Sequence, residues 1–496
     1  MSIEPKYERY IILPPRGFRP IDVESRASLL WIDQAAANPA ETTDFPLPAE
    51  GFRLIDSVAP DGPKLVDMTS EGRLLFRKNF PGPRILPLTY YRPALAPRPR
   101  VQSLIDTAAS HGSSAIVVRV VSQADGEPIA GATVVAFTDF TGRLGAKGVT
   151  DSSGFVTLAL GSSRVELDRL YTYPRRGYWS DVRREFALTS GATIALEPLD
   201  LNYIDAIRFF FPNATLSDGA NVVVGLIDTG IDLNHPDLEV QGGLNTVPGE
   251  DPETYGDNGV GHGTHVAGII AARGTPPRGL RGIAPGVVLK SYRVFPQGSD
   301  AASNYAISKA IDRAVQDGCD LINLSLGGPV NDPALLSAVN DARAEGTLPI
   351  VAAGDDFRGP VKYPAADGAS VAISAMGRIG TFPASSVEAV EVAPPFGVDP
   401  ADFLADFTNV GPQIAIVGPG VAILSTFTGG YAVLSGTSQA CAAITAATAK
   451  ILAENTAIMA MPRDQNRSNA IARILYQSAK PFGFGAEEEG HGTPRF

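Results

Sequence analysis

Two short motifs in this 496-residue chain contain side chains that could carry out proton transfer. Asp228 follows the apolar run 222–227, which has the pattern of a strand buried on both faces. Functional groups collect at the carboxyl ends of such strands, although an aspartate there can also cap a helix or form a turn. His262 and His265 stand three residues apart in 261–268, Gly-His-Gly-Thr-His-Val-Ala-Gly. The dipole at a helix start keeps a histidine neutral, as a general base must be.

Metal binding and core packing are the alternative roles for these two histidines. Residues three apart share one face of a helix, which could suggest a metal site. No glutamate or cysteine ligand set accompanies the pair, so we expect neither a metal nor a cofactor. A histidine packed in the core is an interpretation that suits His265 better than His262.

Ser438 ends the run Ser-Gly-Thr-Ser at 435–438, directly before a long stretch of small apolar residues. That stretch predicts a helix buried on all sides, and a serine at its start can be a simple N-cap. The serine can also be a nucleophile. Its own backbone N–H, free in the first helical turn, would then point at a developing oxyanion.

Together these motifs resemble those of the subtilisin-like serine protease family, over about residues 200–482. The order Asp, His, Ser along the chain is also the order of that family. The resemblance implies a serine endopeptidase in which His262 takes the proton of Ser438, Ser438 attacks the scissile carbonyl and Asp228 holds the imidazole. A catalytically weakened binding protein that keeps the same fold is the alternative.

The resemblance also implies substrate-binding residues, each with a plainer structural alternative. Residues 324–328 resemble the edge segment that pairs with an extended substrate, and could equally be a buried strand and turn. Lys362 lies near the floor expected for the primary specificity pocket and could favour an acidic or small residue, or simply extend to solvent. The residues assigned to substrate binding are Ser325, Leu326 and Gly327 on the edge segment, Ala353 and Gly354 in the primary pocket, and Phe295, for which core packing is an equal alternative.

Two departures from the family pattern affect the predicted chemistry. After Gly354 the family has an asparagine that donates to the oxyanion, and here Asp355 takes that place. An ionised carboxylate would repel the oxyanion, whereas a protonated one could donate its O–H. The calcium-binding loop of secreted relatives is replaced by residues 273–281, which carry arginines and prolines, and Asp237 lacks companion ligands. We therefore expect that calcium site to be missing.

The bulk composition narrows the possible partners to peptide or protein substrates. The formal net charge is -12 and no dense lysine and arginine block occurs, which argues against nucleic acid. No apolar stretch is long enough to span a bilayer, and no secretory signal is visible. Cys319 and Cys441 are the only cysteines, which favours a reducing compartment. We expect a cytoplasmic protein, with non-classical export as the alternative.

The pattern of apolar residues divides the chain into segments that would position these motifs. Residues 200–482 alternate strands with helical stripes such as Ile307, Ile311 and Ala314, which predicts a parallel sheet with helices on both faces. Strand-like runs separated by turns predict a small β-sandwich at 114–199. An N-terminal α+β segment, 1–99, precedes it, and 483–496 is expected to be a C-terminal tail.

The two N-terminal segments have weaker resemblances of their own. Residues 50–93 resemble the propeptide of subtilisin-like proteases, with 83–91 as a final strand. An unrelated accessory domain is the alternative. The predicted sandwich resembles the carboxypeptidase-regulatory-like domain. If the first resemblance holds, residues 1–99 would inhibit the protease intramolecularly, with a tail in the substrate cleft.

Overall fold

The structure, a computed structural model, describes residues 6–37, 51–103 and 114–496. Residues 1–5 and 38–50 of the predicted first segment lie outside the described residues, as do 104–113. The architecture is mixed α/β, with a largely parallel sheet in the second half of the chain and several small sheets before it. This is the fold class that the sequence predicted.

The described residues of the first segment form a four-stranded antiparallel sheet with two helices. The strand order is β2-β3-β1-β4, and Ile12, Leu29, Val66 and Phe76 fill the core between sheet and helices. The elements, in chain order, are β1 (Glu8–Leu13), α1 (Val23–Ala37), β2 (Phe52–Ser57), β3 (Lys64–Met68), α2 (Ser70–Asn79) and β4 (Arg84–Pro87).

The final strand predicted at 83–91 is divided into two strands in the structure. β4 ends at Pro87, and β5 (Tyr90–Pro93) belongs to a different sheet. Thr89 explains the division, because its N–H donates to Asn304 Oδ1 at 3.2 Å and its carbonyl accepts from the Asn304 N–H at 2.9 Å. The backbone of Thr89 is thereby held by the second half of the chain rather than by the first sheet.

The next strands form two sheets that share one apolar core, here called the two-sheet region (102–199, without 104–113). One sheet has the order β10-β7-β13 and the other β12-β11-β8-β9-β6. The runs 115–121, 132–137, 155–160 and 193–196, whose apolar pattern predicts strands, fall on β7, β8, β10 and β13. The strands are β6 (Gln102–Ser103), β7 (Ser114–Ser122), β8 (Thr133–Asp139), β9 (Leu144–Val149), β10 (Phe155–Gly161), β11 (Arg164–Tyr173), β12 (Asp181–Thr189) and β13 (Thr193–Leu196).

The large sheet has eight strands in the order β15-β16-β14-β18-β20-β21-β22, with β23 beside β21. All pairs are parallel except β21 with β22. The strands of this half are β14 (Val223–Asp228), β15 (Gly243–Asn245), β16 (Val288–Arg293), β17 (Ala302–Ser303), β18 (Leu321–Leu324), β19 (Leu326–Gly327), β20 (Leu348–Ala352), β21 (Val371–Arg378), β22 (Asp402–Leu404), β23 (Ile414–Pro419), β24 (Ile423–Phe427), β25 (Gly430–Leu434), β26 (Ala479–Lys480) and β27 (Thr493–Pro494).

Helices cover both faces of this sheet, as a parallel sheet requires. α4 and α7 pack in the core on one face, and α5 and α6 pack in the core on the other, where the predicted stripe of α5 is buried. The helices are α3 (Ala206–Phe210), α4 (His262–Ala271), α5 (Asn304–Gln316), α6 (Pro333–Ala344), α7 (Thr437–Glu454), α8 (Thr456–Met459), α9 (Gln465–Ser478) and α10 (Ala486–Glu489), with a 3-10 helix at Val387–Val390. In the described residues, no helix combines the length and apolarity needed to cross a membrane.

The last residues, expected as a tail, pack against the large sheet. α10 follows Phe482, and β27 pairs with β26. The carboxylate of Glu489 accepts from the Phe482 N–H at 2.6 Å and from the Gly483 N–H at 3.2 Å. Because Gly490 also bridges to Ile416 of β23, this stretch is continuous with the α/β half.

Candidate active site

The predicted triad residues lie at the ends of three elements of the α/β half. Asp228 is the last residue of β14, His262 is the first residue of α4 and Ser438 is the second residue of α7. Gly261 permits the sharp turn before α4, because its φ is +85° and a Cβ there would lie 2.5 Å from the ring of Phe427.

Asp228 and His262 form a buried hydrogen-bonded pair. His262 Nδ1 lies 2.7 Å from Asp228 Oδ1, and both side chains are 1% exposed. This contact fixes the tautomer: Nδ1–H donates to the carboxylate, so Nε2 is left with a lone pair. Within the described part of the chain, His262 Nε2 has no hydrogen-bond partner. The nitrogen that a general base needs is therefore free to accept a proton.

Ser438 bonds to Ser325 in this structure and not to the His262–Asp228 pair. Its Oγ donates to the Ser325 carbonyl at 3.0 Å, and the Ser325 Oγ donates back to the Ser438 carbonyl at 3.1 Å. The next residue, Gln439, contacts the Nδ1 of His265 at 3.5 Å, one turn along α4 from His262. The starts of α7 and α4 therefore adjoin, and rotation about one side-chain bond would turn the Ser438 hydroxyl away from Ser325.

His265 is a core residue in this structure. Its Nε2–H donates to the carbonyls of Ile423 and Ala432 at 3.0 and 3.2 Å. Burial lowers the pKa of His265 to about 3, so the ring is neutral. Among the described residues, no group of three or more histidine, cysteine, aspartate or glutamate side chains could hold a metal ion.

Asp237, the residue left from the calcium-loop pattern, bonds to protein groups: it accepts from the Leu280 N–H at 2.7 Å and from the Tyr431 hydroxyl at 2.9 Å.

The chain's own segment 90–96 crosses the site. The sequence predicted that a tail of residues 1–99 would lie in the cleft, but not which of its residues would make the contacts. β5 lies between β17 and β19 as an antiparallel third strand, with Gly327 opposite Arg92. The Ala94 N–H donates to the Ser325 carbonyl at 3.2 Å, and the Ala94 carbonyl accepts from the Ser438 N–H at 3.2 Å. The predicted edge residues Ser325, Leu326 and Gly327 thus bind an extended chain, whose Ala94 carbonyl is held by the Ser438 N–H.

The side chain of Tyr91 is bound in a pocket between α5 and α6. It is 1% exposed, and its ring lies so close to Gly328 that a Cβ there would be 2.8 Å from it. The Tyr91 hydroxyl donates to Asp332 Oδ2 at 3.3 Å, and Asn304 Nδ2 donates to the same oxygen at 2.8 Å. Asp332 was not predicted as a site residue, because its sequence context is that of a helix N-cap, a role that it also has.

Asp355 is buried against the residue that precedes Ser438. Its Oδ1 accepts from the Thr437 N–H at 2.8 Å and its Oδ2 from the Thr437 hydroxyl at 3.0 Å. Burial raises the pKa of Asp355 to about 7, although the bonds from Thr437 act in the opposite direction. The carboxyl is therefore one residue from the N–H that binds the Ala94 carbonyl, and its charge changes near neutral pH.

Lys362 lies across the predicted primary pocket. A Cβ at Gly354 would be 2.9 Å from Lys362 Cδ, and a Cβ at Gly327 would be 3.1 Å from Lys362 Cβ. The ammonium is held beyond the pocket by Asp356, with Nζ 2.7 Å from Oδ2. The methylenes of Lys362 therefore occupy space between the two glycines. Of the other predicted pocket residues, Ala353 is buried beside Gly354, and Phe295 is buried in the core on the side of α5.

Comparison with known proteins agrees with this geometry. The model of the Subtilase family, Peptidase S8, matches residues 219–492. Subtilisin DY of Bacillus licheniformis is 37% identical over 265 residues, which cover 52% of this chain and 86% of that protein. Subtilisin of Bacillus pumilus is 36% identical over 254 residues, covering 51% and 84%. Subtilisin Savinase of Lederbergia lenta is 36% identical over 238 residues, covering 48% and 78%.

The α/β half thus defines a serine protease of the subtilisin type. It is 36–37% identical to the three relatives named above. The chain belongs to the subtilase family. The matched region begins later and ends later than the predicted 200–482, and it includes the C-terminal residues that pack on the large sheet. The region before residue 219 has no counterpart in this match.

The charge of Asp355 should depress turnover above neutral pH. Ionisation near pH 7 would place a carboxylate beside the developing oxyanion, so Asp355→Asn should raise kcat by about tenfold or more at pH 8–9 and much less at pH 5–6. The measurement is the hydrolysis of a chromogenic peptide across this pH range. An identical pH profile in both proteins would show that residue 355 does not influence the oxyanion.

The same carboxyl should affect stability. An aspartate ionises near pH 4 in an unfolded chain but near pH 7 here, so the folded state binds the extra proton between these values. Stability from this group is complete below about pH 4 and is lost as the pH rises to about 7. The Tm advantage of Asp355→Asn should therefore grow over this interval and level off above it.

Removing the Lys362 side chain should widen the primary pocket. In Lys362→Ala, kcat/KM for a substrate with phenylalanine before the scissile bond should rise about 10- to 100-fold relative to one with alanine, because the larger side chain can then be buried. Asp356→Ala is the matched control, since it removes the ion pair but keeps the methylenes. An unchanged preference in Lys362→Ala would place the pocket elsewhere.

Proposed function

We propose that this protein is a serine endopeptidase that hydrolyses peptide bonds through Asp228, His262 and Ser438. One observation carries the proposal: the Ser438 backbone N–H holds the carbonyl of an extended chain, at the start of a helix that adjoins the helix bearing the buried His262–Asp228 pair. That chain is bound as an added strand along Ser325–Gly327, which is how a peptide substrate would be held.

The mechanism follows from the tautomer of His262. The Ser438 hydroxyl turns from Ser325 to His262 Nε2, which takes the proton as Ser438 Oγ attacks the scissile carbonyl. Asp228 stabilises the imidazolium, and the Ser438 N–H stabilises the oxyanion. His262 then protonates the leaving amine, and a water molecule hydrolyses the acyl-enzyme by the same route in reverse. The charge state of Asp355 sets how strongly the oxyanion is stabilised.

Substitution of either reacting residue should abolish hydrolysis without unfolding the protein. Ser438→Ala and His262→Ala should each lose at least about a thousandfold in kcat on a chromogenic peptide, because nucleophile and base act together. Ser308→Ala is the matched control, since it removes a buried hydroxyl on α5 with no hydrogen-bond partner among the described residues. His265→Ala should lower Tm and keep part of the activity. Normal turnover by folded Ser438→Ala would contradict the proposal.

A catalytically weakened binding protein is the second candidate, and Asp355 is the observation that favours it. With a carboxyl in place of an amide, the site lacks a permanent side-chain donor, and an extended chain already occupies the cleft. The two candidates differ in turnover on added peptide, which the Ser438→Ala experiment measures directly.

We also propose that residues 1–99 are a propeptide-like intramolecular inhibitor. In support, the first segment docks on α5 and α6: the N–H groups of Phe18 and Arg19 donate to Asp341 Oδ2 at 2.8 and 3.1 Å, and Lys309 pairs with Asp56 at 2.6 Å. This docking holds Tyr91 and Ala94 in the cleft. A tethered segment has a high effective concentration, so modest affinity suffices to exclude substrate.

The remaining assignments of the chain are proposals of the same kind. Residues 114–199 would be a β-sandwich of the carboxypeptidase-regulatory-like type, and the peptidase domain would start near residue 200. The docking of this region on the α/β half supports a fixed position rather than a flexible tether. Trp179 is buried in the core of the α/β half, and the Gly177 N–H donates to the Tyr431 carbonyl at 2.8 Å.

Weakened docking of the first segment should increase activity. In the full-length protein, Asp341→Ala removes the acceptor of two backbone N–H groups, so the segment should leave the cleft more often and kcat/KM for an added peptide should rise about five- to tenfold. Asp399→Ala is the control, because it removes a surface carboxylate paired with Arg378 in the α/β half. Equal activity of all three proteins would favour an accessory role for residues 1–99.

A further inference from the structure

The segment that crosses the cleft continues beyond the predicted scissile bond and shows what lies on that side. With the Ala94 carbonyl on the Ser438 N–H, the bond poised for attack joins Ala94 to Leu95. The Ala96 N–H donates to the Ser435 carbonyl at 2.9 Å, so the chain stays bound after this point. Residues 95–98 therefore mark the part of the cleft that receives the product released first.

We propose that the two-sheet region builds this part of the cleft and that it selects polypeptides with arginine at the fourth position after the scissile bond. The proposal rests on the endopeptidase function proposed above. It assigns a substrate-binding role to a region that the family match does not include.

A cavity beside His262 shows that both halves of the molecule form this wall. Its volume is about 290 Å³, and Leu95 lines it together with His262 and Phe427. The opposite side comes from the two-sheet region, through Tyr173 and Pro174. Without the two-sheet region, the departing side of the cleft would be open to solvent next to the catalytic histidine.

The loop that carries these residues is held firmly against the α/β half. Arg176 Nη1 donates to the Thr428 carbonyl at 2.6 Å, and Arg175 Nη2 donates to the Gly259 carbonyl at 3.3 Å. Gly259 is close in sequence to His262, and Thr428 follows β24. Because the loop is bonded on both sides of the cavity, Tyr173 has a defined position relative to the catalytic histidine.

Arg98, the fourth residue after the bond, lies against this wall. Its guanidinium carbon is 4.6 Å from the centre of the Tyr173 ring, which is the geometry of a cation–π contact. A second cavity of about 90 Å³ beneath 95–98 is lined by Arg98, Tyr173, Glu388 and Glu391. An aromatic face with two carboxyl groups nearby is a site suited to a cation.

Glu388, one of the two acidic residues of this site, is hydrogen-bonded to Ser435, three residues before Ser438. Glu388 is buried, with Oε2 accepting from the Ser180 hydroxyl at 3.0 Å and Oε1 from the Ser435 hydroxyl at 3.5 Å. Ser435 is the residue whose carbonyl binds the Ala96 N–H. Within the described residues, the buried Glu391 Oε2 has no hydrogen-bond partner. Burial raises the pKa of Glu391 well above its usual value, so the Tyr173 ring and Glu388 are the groups through which the site would bind an arginine.

The test compares two peptides in competition for the full-length enzyme. Both carry Tyr-Arg-Pro-Ala before the scissile bond, and after it one has Leu-Ala-Pro-Arg and the other Leu-Ala-Pro-Leu. The chain's own segment competes equally with both, so it cancels in the ratio of their kcat/KM values. The wild type should prefer the arginine peptide about three- to tenfold.

Variants of the wall identify the source of that preference. Tyr173→Ala should reduce the ratio to about one, Tyr173→Phe should keep it because the aromatic face remains, and Glu388→Gln should lower it. Phe155→Ala is the matched control: its ring also carries an arginine, Arg119, at 5.5 Å, but it lies in the other sheet of the two-sheet region. That variant should keep the wild-type ratio.

A chromogenic anilide of Tyr-Arg-Pro-Ala separates the possible failures, since it has no peptide after the scissile bond. If neither the wild type nor Asp341→Ala, in which the first segment is held less firmly, hydrolyses the anilide or the peptides, the endopeptidase function is wrong and this inference is wrong with it. If the substrates are hydrolysed but the ratio is one, or if Tyr173→Ala keeps it, the function stands and the role of the two-sheet region is overturned.

Discussion

The buried hydrogen bond between Asp228 and His262 is the interaction on which the rest of the site depends. Burying a carboxylate costs free energy unless it is paired, so the fold must bring the two side chains into contact. Asp228 reaches this position because β14 lies between β16 and β18 within the parallel sheet. His262 reaches it because α4 begins immediately after the turn at Gly261. The order of strands and the start of one helix thus set the tautomer that permits proton transfer.

The burial of His262 also leaves its second ring nitrogen without a hydrogen-bond partner among the described residues. His262 Nε2 is buried without a partner, and an unpaired buried polar group costs about 1–3 kcal/mol. A catalytic site keeps such a group because the reacting hydroxyl will satisfy it. Here the chain's own segment covers the site while Ser438 stays bonded to Ser325. In the proposed mechanism, the Ser438 hydroxyl would have to turn from Ser325 to His262 Nε2 before it could react.

The fold of the α/β half follows from sequence, because apolar runs and helical stripes are local signals. The pairing of Asp228 with His262 was instead implied by the resemblance of their motifs to a known family. The residues that bind segment 90–96 could not be predicted from such local signals. Asp332 has the sequence context of an N-cap, and its contact with Tyr91 joins residues 241 positions apart. The division of 83–91 into two strands depends on Asn304, which no pattern near Thr89 reveals. The position of Asp355 against Thr437 likewise arises from packing, whereas the substitution itself was visible in the sequence.

In the proposed endopeptidase, selection of substrate would be divided between regions with separate folds. Before the scissile bond, the contacts come from the α/β half, where Lys362 fills the primary pocket and Asp332 bonds the Tyr91 hydroxyl. After it, Tyr173 of the two-sheet region faces Arg98. Tyr173 packs against the cluster of Phe137 and Tyr171 rather than in the core of the large sheet. Preferences on the two sides of the bond can thus change independently, provided that the loop around Arg175 and Arg176 stays bonded to the α/β half.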